Sequence, residues 1–313
     1  MPSKQGLPSI RAGLSADALR NLFPFSSEFD PVFKKVLLYV LGNPGSLIRS
    51  QLAFAVAVEY GVEVERAEKL AVALEYFHTA SLLFDDMPCM DNAQKRRGVT
   101  CAHLQFGEEN AILAALALIN RAYALVWQSV AGCPPGTQPQ VLDYIERCLG
   151  AEGLLNGQSL DLHYSALPRS KETTQAIARQ KTAALIRMTL VLPAMLGGAR
   201  TSEIQWMERI SMFWGLGYQI LDDLKDRLQD ATQTGKTAAR DGQLGRPNLV
   251  EVIGVEGAIM RFTRLMDLGN TALRRLLALR PGLEFMQQLG EQLEDELDRV
   301  ACNDCPPVGA TAA

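Results

Sequence analysis

VERAEKLAVALEYFHTASLLF, residues 64–84, begins as an amphipathic helix and ends as a buried one. Its charges cluster early, at Glu65, Arg66, Glu68 and Lys69; apolar positions then recur three and four residues apart until the polar face disappears toward Phe84. The stretch reads as a helix that runs into the core of the molecule.

Similar periodicity, rich in Ala, Leu, Met, Glu and Gln, occupies roughly residues 32–41, 46–60, 108–130, 138–165, 171–196, 202–228 and 250–300. β-Alternating runs bounded by turn residues are absent. The breaks are short: Gly42-Asn43-Pro44-Gly45 and Ala131-Gly132-Cys133-Pro134-Pro135-Gly136 carry turn chemistry, and Gly197-Gly198 precedes a Thr201-Ser202 cap. None can serve as a domain linker, and no repeat of solenoid length is present. The pattern predicts an all-α protein, one antiparallel helical bundle over residues 1–300 around a central apolar cavity, with residues 301–313 as a disordered tail.

The chain of 313 residues is 48% hydrophobic and 21% charged, enough to bury a sizeable core. A formal net charge of −4, without a Lys/Arg stripe, argues against a nucleic-acid partner. The first thirty residues lack the apolar segment and cleavage site of a secretory signal, and no run is expected to span a bilayer, so a cytoplasmic location is predicted. Six irregularly spaced cysteines fit buried or incidental thiols; Cys302 and Cys305 form a CxxC without a second pair or a histidine.

Two acidic stretches carry the chemistry. In DDMPCMDNAQKRRG, residues 85–98, Pro88 should break the helix that ends in Asp85-Asp86 and turn Asp91 back toward them. Like charges a few ångströms apart repel by about 4 kcal/mol per pair at an effective dielectric near 20, so such a cluster calls for a cation. GLGYQILDDLKDRLQD places Asp222, Asp223 and Asp226 after an apolar stretch, and Asp222 and Asp226 are i and i+4 on one helical face. Two such helix ends facing each other would hold Mg²⁺ bridged to a diphosphate.

The first stretch resembles the first aspartate-rich motif of the trans-type polyprenyl diphosphate synthases, DDxxxxD followed by RRG, and GYQILDDLKD resembles the second, closest in style to geranylgeranyl and farnesyl diphosphate synthases. Gly157-Gln158-Ser159-Leu160-Asp161-Leu162 is similar to the family's GQxxDL, Lys181-Thr182 to its KT pair, and Gly235-Lys236 and Gly245-Arg246 follow in family order. The resemblance implies a prenyltransferase in which Mg²⁺, three ions by family pattern, and basic residues draw diphosphate off an allylic substrate, leaving a carbocation that the double bond of isopentenyl diphosphate attacks. It implies Asp85, Asp91 and Asp222 as main Mg²⁺ ligands with Asp86, Asp223 and Asp226 in support; Arg96, Lys181, Lys236 and Arg246 on the leaving diphosphate; and Thr182 and Gln219 turning oxygen dipoles toward the cation. It places His78 and Arg97 on isopentenyl diphosphate and implies a homodimer. Small residues at Ala80 and Ser81 leave room for a product of more than fifteen carbons, such as geranylgeranyl diphosphate.

One stretch departs from the family pattern. Where GGKRxRP is usual, this chain has Gly45-Ser46-Leu47-Ile48-Arg49-Ser50, so the lysine is replaced by Ser46 and only Arg49 remains. Losing one charge-assisted contact costs about 1.5–3 kcal/mol, roughly tenfold to a hundredfold in affinity. Two activities fit this pattern: condensation with isopentenyl diphosphate through Arg49, His78 and Arg97, or a derived terpene synthase that ionises an allylic diphosphate and cyclises or hydrolyses it. A non-catalytic partner subunit fits less well, because the acidic ligands are kept.

Overall fold

The computed structural model describes residues 15–228 and 245–302. Its helices are α1 (Ala16–Asn21), α2 (Pro31–Leu41), α3 (Ile48–Glu59), α4 (Val64–Asp85), α5 (Ala102–Phe106), α6 (Glu108–Ser129), α7 (Thr137–Leu149), α8 (Leu154–Leu162), α9 (Lys171–Leu196), α10 (Thr201–Leu228), α11 (Leu249–Leu277) and α12 (Met286–Cys302). The all-α expectation holds. α4 is the buried axis, lying against α3, α6 and α9; α9 also packs on α7, α8 and α10, and α10 on α11. Along α4, Leu70 to Phe77 are buried without interruption, as the loss of its polar face predicts.

Three local expectations need correction. Residues 138–165 form two helices, because Gly150 and Gly153 bring the chain so close to the carbonyls of Glu146 and Cys148 that a side chain at either would strike them. Residues 250–300 also divide: Gly254, at φ 75°, kinks α11, and Arg280-Pro281-Gly282 ends the run in a 3₁₀ turn before α12. A small antiparallel hairpin is present where no strand was expected, β1 (Lys95–Arg96) with β2 (Val99–Thr100). Arg97 and Gly98 both have positive φ, 54° and 82°, as a two-residue hairpin turn requires. The α10 start is capped by Glu203, which accepts from the Arg200 amide at 2.9 Å.

By length and composition α6 is apolar enough to cross a membrane, contrary to the expectation that no segment would be, although its inner flank packs on α4. Its other flank exposes Leu113, Leu116, Tyr123 and Trp127. Ala301 and Cys302 close α12 and so do not belong to a disordered tail; Cys305 and the rest of that segment lie outside the described residues.

The buried Trp214 of α10 sits in a notch cut by glycines. A Cβ at Gly269 would lie 2.5 Å from the indole Cδ1 and Nε1, whereas one at Gly217, on α10 itself, would meet its nearest atom at 3.3 Å. Overpacking a fixed aromatic ring costs about 1–3 kcal/mol. We expect Gly269→Ala to lower Tm by roughly 2–8 °C, and Gly217→Ala to lower it by less; equal melting temperatures in differential scanning calorimetry would show that the notch is slack.

Candidate active site

α4 delivers the first acidic motif. Asp85 is its last residue, and the turn through Pro88 folds back so that the Asp91 amide donates to the Asp85 carbonyl at 3.0 Å and the Ala93 amide to the Asp86 carbonyl at 3.1 Å. Asp91 therefore returns to Asp85 as the proline predicts. The two adjacent aspartates differ in environment. Asp86 is buried and accepts from Arg96 Nε at 2.8 Å, so this carboxylate and this guanidinium are engaged with each other. Asp85 has its pKa pushed up to about 6, chiefly by burial, which outweighs nearby Lys181 and is helped by Asp91. A carboxylate held against the cost of burial is one whose charge a cation would relieve.

The second motif divides in the same way. Asp223 is fully buried: its Oδ1 accepts from Gln219 Nε2 at 2.8 Å and its Oδ2 from the Leu249 amide at 2.8 Å, which fixes the start of α11. Asp223 thus braces α10 against the start of α11. Asp222 and Asp226 are partly exposed on α10. The Gln219 amide is gripped at both ends, because the Thr182 hydroxyl donates to its Oε1 at 2.5 Å. Thr182, Gln219 and Asp223 form one chain of oriented dipoles from α9 to α10.

Basic residues tie the first motif to Asp161 of α8. Arg246, in the segment leading into α11, donates to the Met90 carbonyl at 3.0 Å and to Asp91 Oδ1 at 3.1 Å, and its other terminal nitrogen lies 3.7 Å from Asp161 Oδ2. Lys181 Nζ reaches the same Asp161 oxygen at 2.9 Å. Burial works against the Lys181 charge, but Asp85, Asp161 and Asp91 around it hold its pKa above the usual lysine value. α8 can bring Asp161 this close because of Gly157, where a Cβ would lie 2.7 Å from the Lys181 amide nitrogen. The sequence pattern included Asp161 without giving it a task. Its signal was a lone acidic residue on a short helix between two apolar neighbours, Leu160 and Leu162.

A second basic group stands two turns back along α4, around His78. Arg49 Nη1 is 3.3 Å from His78 Nε2, and its guanidinium lies 5.9 Å from the Tyr218 ring centroid. Burial, with Arg49 and Arg97 adding to it, lowers the His78 pKa to about 2, so this ring is a neutral hydrogen-bonding group and not a cation. Arg97 donates from Nη1 to the Asn43 carbonyl at 3.0 Å and from Nη2 to Glu75 Oε1 at 3.3 Å. Glu75 is a buried residue that sequence reasoning missed, because within the helical pattern of α4 it reads as an ordinary polar position. Lys236 lies outside the described residues.

The donors suit Mg²⁺ in kind, since every acidic candidate offers hard oxygen. Among the described residues no group of three or more His, Cys, Asp or Glu is gathered closely enough to hold an ion by itself. Mg²⁺ usually takes one or two carboxylates and completes its shell with water and phosphate oxygens, so the arrangement fits an ion shared with a diphosphate, not a protein-only cage.

An all-α bundle that carries two aspartate motifs, with Lys181 and Arg246 gathered at the first, defines a class, and comparison with known proteins gives the family. The chain belongs to the polyprenyl synthetase family, which it matches over residues 30–266. It is 33% identical to a geranylgeranyl diphosphate synthase of Pseudescherichia vulneris over 80% of each chain. A chloroplastic geranylgeranyl pyrophosphate synthase of Capsicum annuum is 34% identical over 72% of this chain, which spans 62% of that protein's length. The crystal structure of a Helicobacter pylori geranyltransferase, complexed with magnesium and isoprenyl diphosphate, superposes with a TM-score of 0.77 at 26% identity, covering 92% of this chain and 94% of that one.

Proposed function

We propose that the protein is a Mg²⁺-dependent trans-prenyltransferase that condenses isopentenyl diphosphate with an allylic diphosphate to give geranylgeranyl diphosphate or a product of similar length. The observation that carries this reading is two groups of basic residues set two turns apart along α4: Lys181 and Arg246 among the acidic residues, and Arg49 and Arg97 beside His78. An enzyme that only ionised an allylic diphosphate would need the first site alone. The relatives named as geranylgeranyl diphosphate synthases support the product class.

Asp85, Asp91 and Asp222, with Asp226 beside them, would hold Mg²⁺, three ions being the family expectation. The metal, when bound, neutralises the departing diphosphate. Lys181 and Arg246 place positive charge where negative charge develops, which favours the transition state over the bound substrate. Lys236, by family pattern, joins them. Arg96 acts through Asp86, keeping that carboxylate neutralised beside Asp85. Thr182 spends its hydroxyl proton on Gln219, so its lone pairs are available to the carbocation. The allylic C–O bond breaks with its electron pair leaving on the diphosphate, the isopentenyl double bond supplies the pair for the new C–C bond, and a proton is lost.

We propose a homodimer joined through the exposed apolar flank of α6, with Leu113, Leu116, Tyr123 and Trp127 at its centre. A cytoplasmic location stays part of the proposal, supported by the packing of α6 into the bundle.

The deciding experiment is incubation with Mg²⁺, labelled isopentenyl diphosphate and each allylic diphosphate in turn. We expect label in a product longer than fifteen carbons. No incorporation at millimolar isopentenyl diphosphate, with hydrocarbon or alcohol released from the allylic substrate alone, would replace this reading with the terpene synthase one. Ser46→Lys should lower KM for isopentenyl diphosphate about tenfold with little change in kcat, since it restores a ground-state charge contact.

A further inference from the structure

Four segments meet at one buried carboxylate. Glu75 projects from α4 with a side chain only 3% exposed. Its Oε1 accepts from Arg97 of the hairpin at 3.3 Å, and its Oε2 lies 3.4 Å from the hydroxyl of the buried Ser50 on α3, whose single proton is shared with the nearer Leu47 carbonyl at 3.0 Å. Arg49 of α3 is close enough to act on its charge, and the Asn43–Gly45 turn holds the far side of the Arg97 fork. The ion pair is costly. Burial pushes Glu75 up and Arg97 down, against their attraction for each other. Pairs of this kind are weak stabilisers and are better understood as devices that fix geometry.

Arg97 needs such a device. It adopts φ 54°, a left-handed conformation uncommon outside glycine, and its guanidinium lies where a Cβ on Gly45 would come within 2.6 Å of Nε. A guanidinium has five N–H groups, and the bonds to Asn43 and Glu75 use two of them, one on each terminal nitrogen. The fork is thereby set at a fixed angle with N–H groups to spare.

We propose that Glu75 is the positioning residue of the isopentenyl diphosphate subsite, aiming Arg97 at the diphosphate and so offsetting the lysine that Ser46 replaces. This rests on the prenyltransferase reading. Glu75 is an anion placed beside an anion-binding site, so on charge alone its neutralisation should tighten diphosphate binding. A positioning role requires the reverse.

The test measures isopentenyl diphosphate binding by calorimetry, and KM and kcat for both substrates, on the full chain. We expect Glu75→Gln to weaken isopentenyl diphosphate on the order of tenfold in Kd and KM while KM for the allylic diphosphate changes less than twofold. Ser50→Ala, which removes the second brace with little loss of volume, should weaken it about threefold and serves if Glu75→Gln does not fold. Glu75→Asp, which keeps the charge, should recover part of the loss. Unchanged or tighter isopentenyl diphosphate binding in Glu75→Gln, or in Ser50→Ala where that variant stands in, overturns the inference and leaves the function intact, as does an equal loss for both substrates. Absence of isopentenyl diphosphate binding by the wild type overturns both.

Discussion

Asp85→Asn and Asp222→Asn are each expected to cut turnover of an allylic diphosphate by about a thousandfold or more, while the protein stays folded. Asparagine has nearly the volume of aspartate, so packing at the ends of α4 and α10 is preserved and the loss falls on the charge that would hold Mg²⁺. At Asp85 the expectation is sharper. Burial already works against ionisation there, so removing the charge should leave Tm unchanged or raised. Asp86→Asn should behave in the opposite way: it strips the counter-charge from the half-buried Arg96, and stability should fall along with activity. Single-turnover rates with saturating Mg²⁺, set beside melting curves, separate the two residues. Turnover within tenfold of wild type in Asp85→Asn would remove that carboxylate from the metal site.

This contrast between neighbouring aspartates marks where the sequence stops being legible. The bundle could be read from it because 3.6-residue periodicity opens α4 and runs through α7, α10 and α12, and no β-alternation competes. The reaction class could be read because both acidic motifs stand in one all-α chain. The division of labour inside each motif could not. Asp85 and Asp86, or Asp222 and Asp223, look equivalent in sequence, yet successive residues in a helix point about 100° apart, so one of each pair faces the packed interior. Which one does so depends on Arg96 and on the start of α11, groups that only the folded chain brings near. The same limit hid Glu75. A single acidic residue in a helix reads as a surface position until the hairpin turn at Arg97 is laid over it. The division of 138–165 escaped because Ala, Leu and Glu continue across Gly150–Gly153 and mask the steric reason for the break.

Asp161 offers the second large effect. One of its oxygens lies 2.9 Å from Lys181 Nζ and 3.7 Å from an Arg246 nitrogen, so a single buried carboxylate keeps two cations side by side, and Arg246 in turn grips Asp91 of the first motif. Asp161→Asn keeps the shape and removes the charge that lets both cations stay. Lys181 would then turn toward Asp85 or Asp91, the other carboxylates that raise its pKa, and would occupy the place a metal needs. Breaking a buried pair costs about 3–5 kcal/mol, and the partial exposure of Lys181 reduces that to roughly 1–3 kcal/mol here. If that loss falls on the transition state, kcat drops about tenfold to a hundredfold, and the apparent Mg²⁺ requirement rises because Lys181 competes for the same oxygens. A purely structural role would instead lower Tm and leave kcat near normal at low temperature. Adding Lys181→Met to Asp161→Asn distinguishes the two further: the displaced cation is gone, so the Mg²⁺ requirement should return toward the wild-type value even though kcat stays low. An Asp161→Asn enzyme with kcat within threefold of wild type and an unchanged Mg²⁺ dependence would show that Lys181 and Arg246 hold their positions without it.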